Sequence, residues 1–228
     1  MIKLSRSKLE LFFECPRCFW MYVGKGINRP SGFPFTINNA IDFLLKQEFD
    51  THRKNGTAHT LIKREGIDAV PFMHEDIDKW RHNFTGIQHL HAETDFLVFG
   101  AVDDIWVDPK GNLIVVDYKA SGAKKGELYP SYKRQMEIYQ WLLRQNGFAV
   151  SNRGYFVYAR VDKEKGFIDG NLKFTLDIEP YDGDDSWVLG KIREAKECLN
   201  GPLPQPDAEC EYCIYRKKAA TINPSPSA

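Results

Sequence analysis

The sequence has no apolar run of membrane-spanning length, which argues against a helical membrane anchor within it. It has no excess of charge of either sign: Lys+Arg and Asp+Glu both number 31 in 228 residues. A nucleic-acid binder recognisable by bulk basicity is thereby excluded, although one built on a local patch is not. No internal repeat is present. The N-terminus, "MIKLSRSKLELFF", lacks the uninterrupted apolar stretch and small-residue cleavage site of a secretion leader, so a cytoplasmic protein is expected. Cysteine is sparse, at five residues. Four of the five form two C-x-x-C pairs, "CPRC" (Cys15, Cys18) and "CEYC" (Cys210, Cys213), one near each end. In a reducing compartment such pairs read as metal ligation more readily than as a disulfide framework.

What is present is enough for one good core, since 43% of residues are hydrophobic. The periodicity predicts a helix from about Ser5, with Leu9, Phe12 and Phe13 on its apolar face, ending at Pro16. A Gly- and Pro-rich loop follows over 24–35. A second helix starts at Thr36, with Ile37, Ile41, Leu44, Leu45 and Phe49 on one side. Residues 56–82 read as a loop and a short helix. The period then changes to two. "TGIQHLHAE" reads as a strand, "FLVFGAVDDIWVD" as one longer strand, "PKGN" as a turn and "LIVVDYKAS" as the returning strand. "YPSYKRQMEIYQWLLRQNGF" is a strong helix with Met136, Tyr139, Leu142 and Leu143 on one face. Two further strands, "GYFVYARV" and an edge strand "NLKFTLDIE", precede a helix over "DDSWVLGKIREAKECLNG" whose charges follow the helix dipole. An extended linker leads to the second cysteine pair. Residues 1–218 are expected to form one domain, and 219–228 a disordered tail. This order makes an α/β protein with a mixed sheet and helices packed against it.

The chemistry concentrates in "GAVDDIWVDPKGNLIVVDYKAS". On a strand, side chains two apart share a face, so Asp117 and Lys119 project together with Tyr118 opposite. The hairpin brings Asp103 and Asp104 alongside. They point to opposite faces, and the turn leaves open which of them meets Asp117. Carboxylates a few ångströms apart repel unless one is protonated or a cation lies between them. Hard oxygen ligands of this kind suit Mg²⁺ or Mn²⁺, which polarise a phosphodiester and lower the pKa of a bound water. Lys119 would orient the nucleophile or stabilise developing negative charge. The plainer alternative is a solvated sheet face with a Lys–Asp pair.

"GAVDD…LIVVDYKAS" resembles the G-x-x-D…(D/E)-x-K core of the PD-(D/E)xK nuclease superfamily, and in particular its RecB-like branch, which includes CRISPR-associated adaptation nucleases. The resemblance implies a restriction-endonuclease-like α-β-β-β-α-β core. It implies metal binding by Asp103 and Asp117, a catalytic role for Lys119, and a Q-x-x-x-Y motif in "QMEIY". Gln135 and Tyr139 of that motif share one helix face. Where many relatives have a His on the helix before the sheet, "NNAIDFLL" places Asp42. Asp42 offers a hard oxygen as a further metal ligand, or is simply a surface acid on an amphipathic helix.

The resemblance also implies a [4Fe-4S] cluster, held in those relatives by one N-terminal and three C-terminal cysteines. Here the division is two and two, which suits Zn²⁺ equally well. Either centre would tie the first helix to the C-terminus. Cys198 is expected only to pack. Lys124, Lys125, Lys133 and Arg134, with Tyr129 and Tyr132 among them, form a candidate patch for single-stranded DNA or DNA ends, or else a solvated loop and helix start. His74, His82, His89 and His91 match no zinc spacing and are expected to be exposed. The reading is a Mg²⁺- or Mn²⁺-dependent deoxyribonuclease, an exonuclease or end-processing enzyme, without membrane association. The alternatives are a non-catalytic nucleic-acid-binding or assembly module on the same fold and a metal-stapled structural protein.

Overall fold

The computed structural model describes residues 1–32, 36–122, 128–167 and 169–222. In chain order the elements are β1 (Ile2–Ser5), α1 (Arg6–Glu14), α2 (Pro16–Phe19), a π-turn (Trp20–Gly24), α3 (Thr36–Asn55), α4 (Thr60–Arg64), β2 (Val70–Pro71) and α5 (Ile77–Trp80). They continue as β3 (Ile87–His91), β4 (Phe96–Gly100), β5 (Asp104–Val107), β6 (Leu113–Ser121), α6 (Pro130–Gln145), β7 (Arg153–Val161), β8 (Phe174–Asp182), α7 (Val188–Asn200) and α8 (Glu211–Ile222).

Two sheets form, ordered β1-β4-β3 and β2-β5-β6-β7-β8. The segment 96–108, expected as one strand, breaks at Ala101–Asp103 and feeds both sheets, β4 into the first and β5 into the second. Gly100 ends β4, and the Val102 N–H leaves the ladder to donate to the Trp80 carbonyl at 3.1 Å. The break is the corner on which the cleft is built. β1 is a strand that the sequence pattern did not suggest, paired parallel to β4. β5 and β6 run antiparallel, whereas β6 and β7 run parallel with α6 as the crossover between them. The class is therefore the expected mixed α/β.

Alternation along β6 divides the core. Leu113 and Val115 join the apolar cluster under α1, α6 and α7, while Ile114, Val116 and Tyr118 join the one under α3 and α4. In the second cluster Phe49 of α3 stacks on Trp106 of β5 with ring centroids 5.7 Å apart. The apolar face expected for α3 is corrected in part. Leu45 and Phe49 are buried, but Ile37 is 62% and Leu44 59% exposed. Burial of Arg53 in that helix shows why: the inward face is set by an ion network (below) rather than by apolarity alone.

The tail expected from 219 is also corrected. α8 runs on to Ile222, although it buries none of its own residues. Residues 223–228 lie outside the described residues. No helix among the described residues is long and apolar enough to cross a membrane.

Candidate active site and thiol centre

The register of the β5–β6 pair answers the Asp103/Asp104 question. Asp104 lies opposite Val116, so the next step along the ladder sets Asp103 beside Asp117. Asp103 Oδ2 accepts from the Tyr118 backbone N–H at 2.9 Å, which fixes it against β6. Asp104 turns to the other face and is fully buried. Its Oδ1 pairs with Arg53, with Arg81 at 2.8 Å and with the Ile105 N–H at 2.8 Å, and its Oδ2 accepts from the Tyr118 hydroxyl at 2.7 Å. Asp50 completes the network, bound to Arg81 at 2.8 Å and to Arg53 at 2.9 Å. Adjacent aspartates thus serve two different sites because neighbours on a strand face opposite ways.

The cleft has a volume of about 610 Å³, and Asp42, Asp103, Lys119, Gln135 and Tyr139 all line it. Asp117 does not itself line the cleft: it has no exposed surface and lies against Gln135 and Lys119, which do. Gln135 Nε2 of α6 donates to Asp117 Oδ1 at 2.7 Å and is also 3.2 Å from the Tyr139 hydroxyl, so the two motif residues brace the carboxylate. Asp117 Oδ2 is ion-paired with the Lys119 ammonium but accepts no hydrogen bond. Lys119 Nζ in turn sits 4.5 Å above the Tyr132 ring, which restricts its reach. Gly100 is required here: a Cβ on it would come within 2.5 Å of Tyr139 Cε1.

Electrostatics follow the burial. Desolvation pushes the Asp117 carboxyl up to about 7, and Asp103 adds to the rise while Lys119 opposes it. Burial also raises Tyr139, and burial followed by repulsion from Asp103 raises Asp42. For Lys119 burial pulls downward, but Asp117 and Asp103 outweigh it and the net shift is upward.

Asp42 Oδ1 is buried without a partner, whereas its Oδ2 binds Lys46 at 2.7 Å. Lys46 Nζ also lies 3.6 Å from Asp103 Oδ1. Lys46, Arg6, Arg81, Asn38, Asn39 and Asn83 line the cleft and were not picked out from the sequence. The spacing of Asp42 and Lys46, four apart on one helix face, was the signal available for Lys46. Of the basic residues of the expected patch only Lys133 and Arg134 are described, and neither lines the cleft. Arg134 is tied to Glu10 at 3.0 Å, Lys133 faces the Tyr181 ring, and Lys124 and Lys125 lie outside the described residues. Tyr132 lines the cleft, with Tyr129 edge-on to it.

At the other end of α1, Cys15, Cys18, Cys210 and Cys213 bring their sulfurs within 4.8 Å of one another. No other group of three or more such ligands occurs among the described residues. The separations are 3.7 Å for Cys18–Cys210 and Cys18–Cys213 and 3.9 Å for Cys15–Cys213. Arg29 donates to Cys210 Sγ at 3.4 Å. Burial raises the Cys18 and Cys213 thiols, whereas in Cys15 the backbone N–H groups of Asp207 and Cys18 outweigh burial and bring the thiol down to about 7. Cys198 stands outside the group and packs on the core. The histidines match no metal site, but of the four only His82 is exposed. His74 stacks on Trp80, and His89 sits edge-on to Trp141.

A family profile described as the PD-(D/E)XK nuclease superfamily matches residues 35–217. The chain belongs to the PD-(D/E)XK nuclease superfamily. Among solved structures, one described as SSO0001 is similar at 17% identity and a TM-score of 0.46, covering 94% of this chain and 84% of that one. An alkaline exonuclease (LHK-Exo) from Laribacter hongkongensis is similar at 13% identity and a TM-score of 0.39, covering 96% and 94%. The same enzyme in complex with dAMP gives 13% and 0.40 over the same shares. No curated protein matches the chain significantly. The matched span of this PD-(D/E)XK chain holds every acid, amide and ammonium described in the cleft except Arg6.

Proposed function

We propose that this PD-(D/E)XK protein is a divalent-metal-dependent deoxyribonuclease. It would act on single strands or DNA ends as an exonuclease or end-processing enzyme. The observation that carries the reading is the convergence of Asp103 and Lys119 in the lining of one cleft, with Asp117 buried directly against Lys119 and Gln135. Two carboxylates this close, one of them fully buried, repel unless a proton or a cation offsets their charge. Asp103 and Asp117 would hold Mg²⁺ or Mn²⁺, which when bound supplies Lewis-acid polarisation of the phosphodiester and an activated water.

The chain's own residues supply the rest. Gln135 holds Asp117 in one orientation, and Tyr139 limits the freedom of Gln135. Lys119, kept charged by its two acids and restrained over Tyr132, stabilises negative charge developing on a phosphoryl oxygen. Arg6, Asn38, Asn39 and Asn83 offer donors to the strand's phosphates without reading bases. Tyr132 offers a ring face for an unpaired base.

The thiol centre is read as one tetrahedral Zn²⁺. A single ion with metal–sulfur bonds of about 2.3 Å has sulfur–sulfur edges of about 3.8 Å; three of the six edges lie at 3.7 to 3.9 Å and all are within 4.8 Å. The close grouping of the four sulfurs favours this over a [4Fe-4S] cluster, which places each thiolate on a different iron. The ion would join α2 to α8 and make residues 1–218 one nuclease unit. A thiolate-held metal accords with a reducing compartment such as the cytoplasm.

The test is degradation of labelled single- and double-stranded DNA with Mg²⁺ or Mn²⁺. Activity should be lost in Asp117→Ala and Lys119→Ala, each checked for intact folding. Degradation that survives both substitutions refutes the reading. Elemental analysis with an absorption spectrum tests zinc against iron.

A further inference from the structure

The three acids of the cleft are not equivalent. Asp117 is fully buried, with Oδ1 accepting from Gln135 and Oδ2 ion-paired with Lys119. Asp103 stands between Asp117 and Asp42. Its Oδ2 holds the Tyr118 N–H, and its Oδ1 faces Lys46 at 3.6 Å. Asp42 accepts from the same ammonium on Oδ2 at 2.7 Å, and its Oδ1 is buried without a partner. The Lys46 ammonium therefore occupies the space that a cation shared by Asp42 and Asp103 would need.

Two-metal phosphodiester sites place their ions about 3.5–4 Å apart with an acid between them. In this cleft one of the two places already holds a charge tethered to α3. Asp42, Asp103 and Asp117 are already balanced by Lys46, Lys119 and Arg6, while Arg81 is held by Asp50 and Asp104. One divalent ion then supplies the positive charge that a phosphodiester needs. A second divalent ion would leave a strong excess in a half-enclosed site, where Lys46 itself is only 20% exposed.

We propose that the Lys46 ammonium stands in for a second divalent cation, so that the cleft takes a single ion, held by Asp103 and Asp117. Asp42 then serves as the counter-charge that positions Lys46, not as a metal ligand. Lys46 lies beside the place of the scissile phosphate and supplies there the positive charge that a second ion would bring. The inference rests on the metal-dependent reading of the cleft, but it concerns the number of ions and the residue that sets it.

The experiment counts Mn²⁺ on the full chain with its thiol centre loaded, by titration calorimetry and by electron paramagnetic resonance. The wild type should take up one Mn²⁺ with no spin–spin coupling. Lys46→Met and Lys46→Gln, which keep the side-chain length, should take up two, with the broadened spectrum of a coupled pair. Adding Asp42→Asn to Lys46→Met should return the count to one. Circular dichroism establishes that each variant is folded, and two Lys46 variants guard against one failing. Two ions in the wild type, or one ion in both Lys46 variants, overturns the proposal. No Mn²⁺ bound by the wild type, with Asp117→Asn indistinguishable from it, overturns the metal-dependent reading itself.

Discussion

Asp103 and Asp104 are neighbours of identical chemistry, and replacing each by Asn should produce opposite phenotypes. Asp104 is fully buried, with Arg53 and Arg81 both on its Oδ1 and side-chain exposures of only 3% and 7% for the two arginines. Asp104→Asn leaves the two guanidiniums with Asp50 as their remaining carboxylate. Removing one partner of a buried ion pair costs about 3–5 kcal/mol. In a chain of this length each kcal/mol is worth about 2–4 °C, so melting should fall by about 6–20 °C. Asp103 has 22% side-chain exposure, and Asn keeps an acceptor for the Tyr118 N–H. Asp103→Asn should therefore shift stability by less than about 1 kcal/mol while abolishing DNA cleavage. Thermal unfolding by circular dichroism, alongside cleavage well below the melting temperature, measures both. Folded Asp104→Asn protein should still cut. Equal melting of the two variants, or loss of cleavage in folded Asp104→Asn with retention in Asp103→Asn, refutes the assignment of the two faces.

Burial raises the folded-state carboxyl of Asp117 to about 7 from an ordinary 3.8. The native state therefore binds more protons than the unfolded state between those values, and its stability falls as pH rises through the window. Without added Mg²⁺ or Mn²⁺, Asp117→Asn should melt like wild type below about pH 4, gain on it steadily through the window, and lie above it near pH 8 by at most about 4 kcal/mol; a pH-independent difference counts against a desolvated acid. Gly100→Ala places a methyl against Tyr139 and should lower kcat at least tenfold, with Gln135 loosened from Asp117, as single-turnover cleavage would show. Stripping the thiol-bound metal should raise amide exchange across α8, which has no buried residue of its own, while leaving β6 protected. Uniform deprotection of both would mean that the centre supports the whole fold.

Much of the cleft was legible because strands have a period of two. That period alone put Asp117 and Lys119 on one face and Tyr118 on the other. It could not choose between Asp103 and Asp104, since one residue of register reverses every side chain. The choice is made by the break at Ala101–Asp103, and "FLVFGAVDDIWVD" hides that break because its apolar alternation runs straight through it. Gly100 was the only local mark of the corner, and its meaning depends on the Tyr139 ring, which arrives from a helix far along the chain. β1 was missed for a similar reason: "IKLS" becomes a strand by pairing with β4, a partner that no local window contains. On α3, spacing predicted an apolar stripe through Ile37 and Leu44. Tertiary structure instead turned the helix to bring Arg53 inward to Asp104 and Asp42 with Lys46 to the cleft.

These features share a cause. α3 must present charge at two places on one sheet, to Asp104 beneath it and to Asp103 at the end of β5. Once Arg53 and Lys46 are both committed inward, Ile37 and Leu44 are left facing solvent. The exposed apolar residues are thus a consequence of the ion network. That account distinguishes them from a general docking face. Replacing Ile37 and Leu44 together by Gln should leave stability within about 1 kcal/mol and cleavage unchanged. A large loss of either would mean that the face is covered by something the buried charges do not explain.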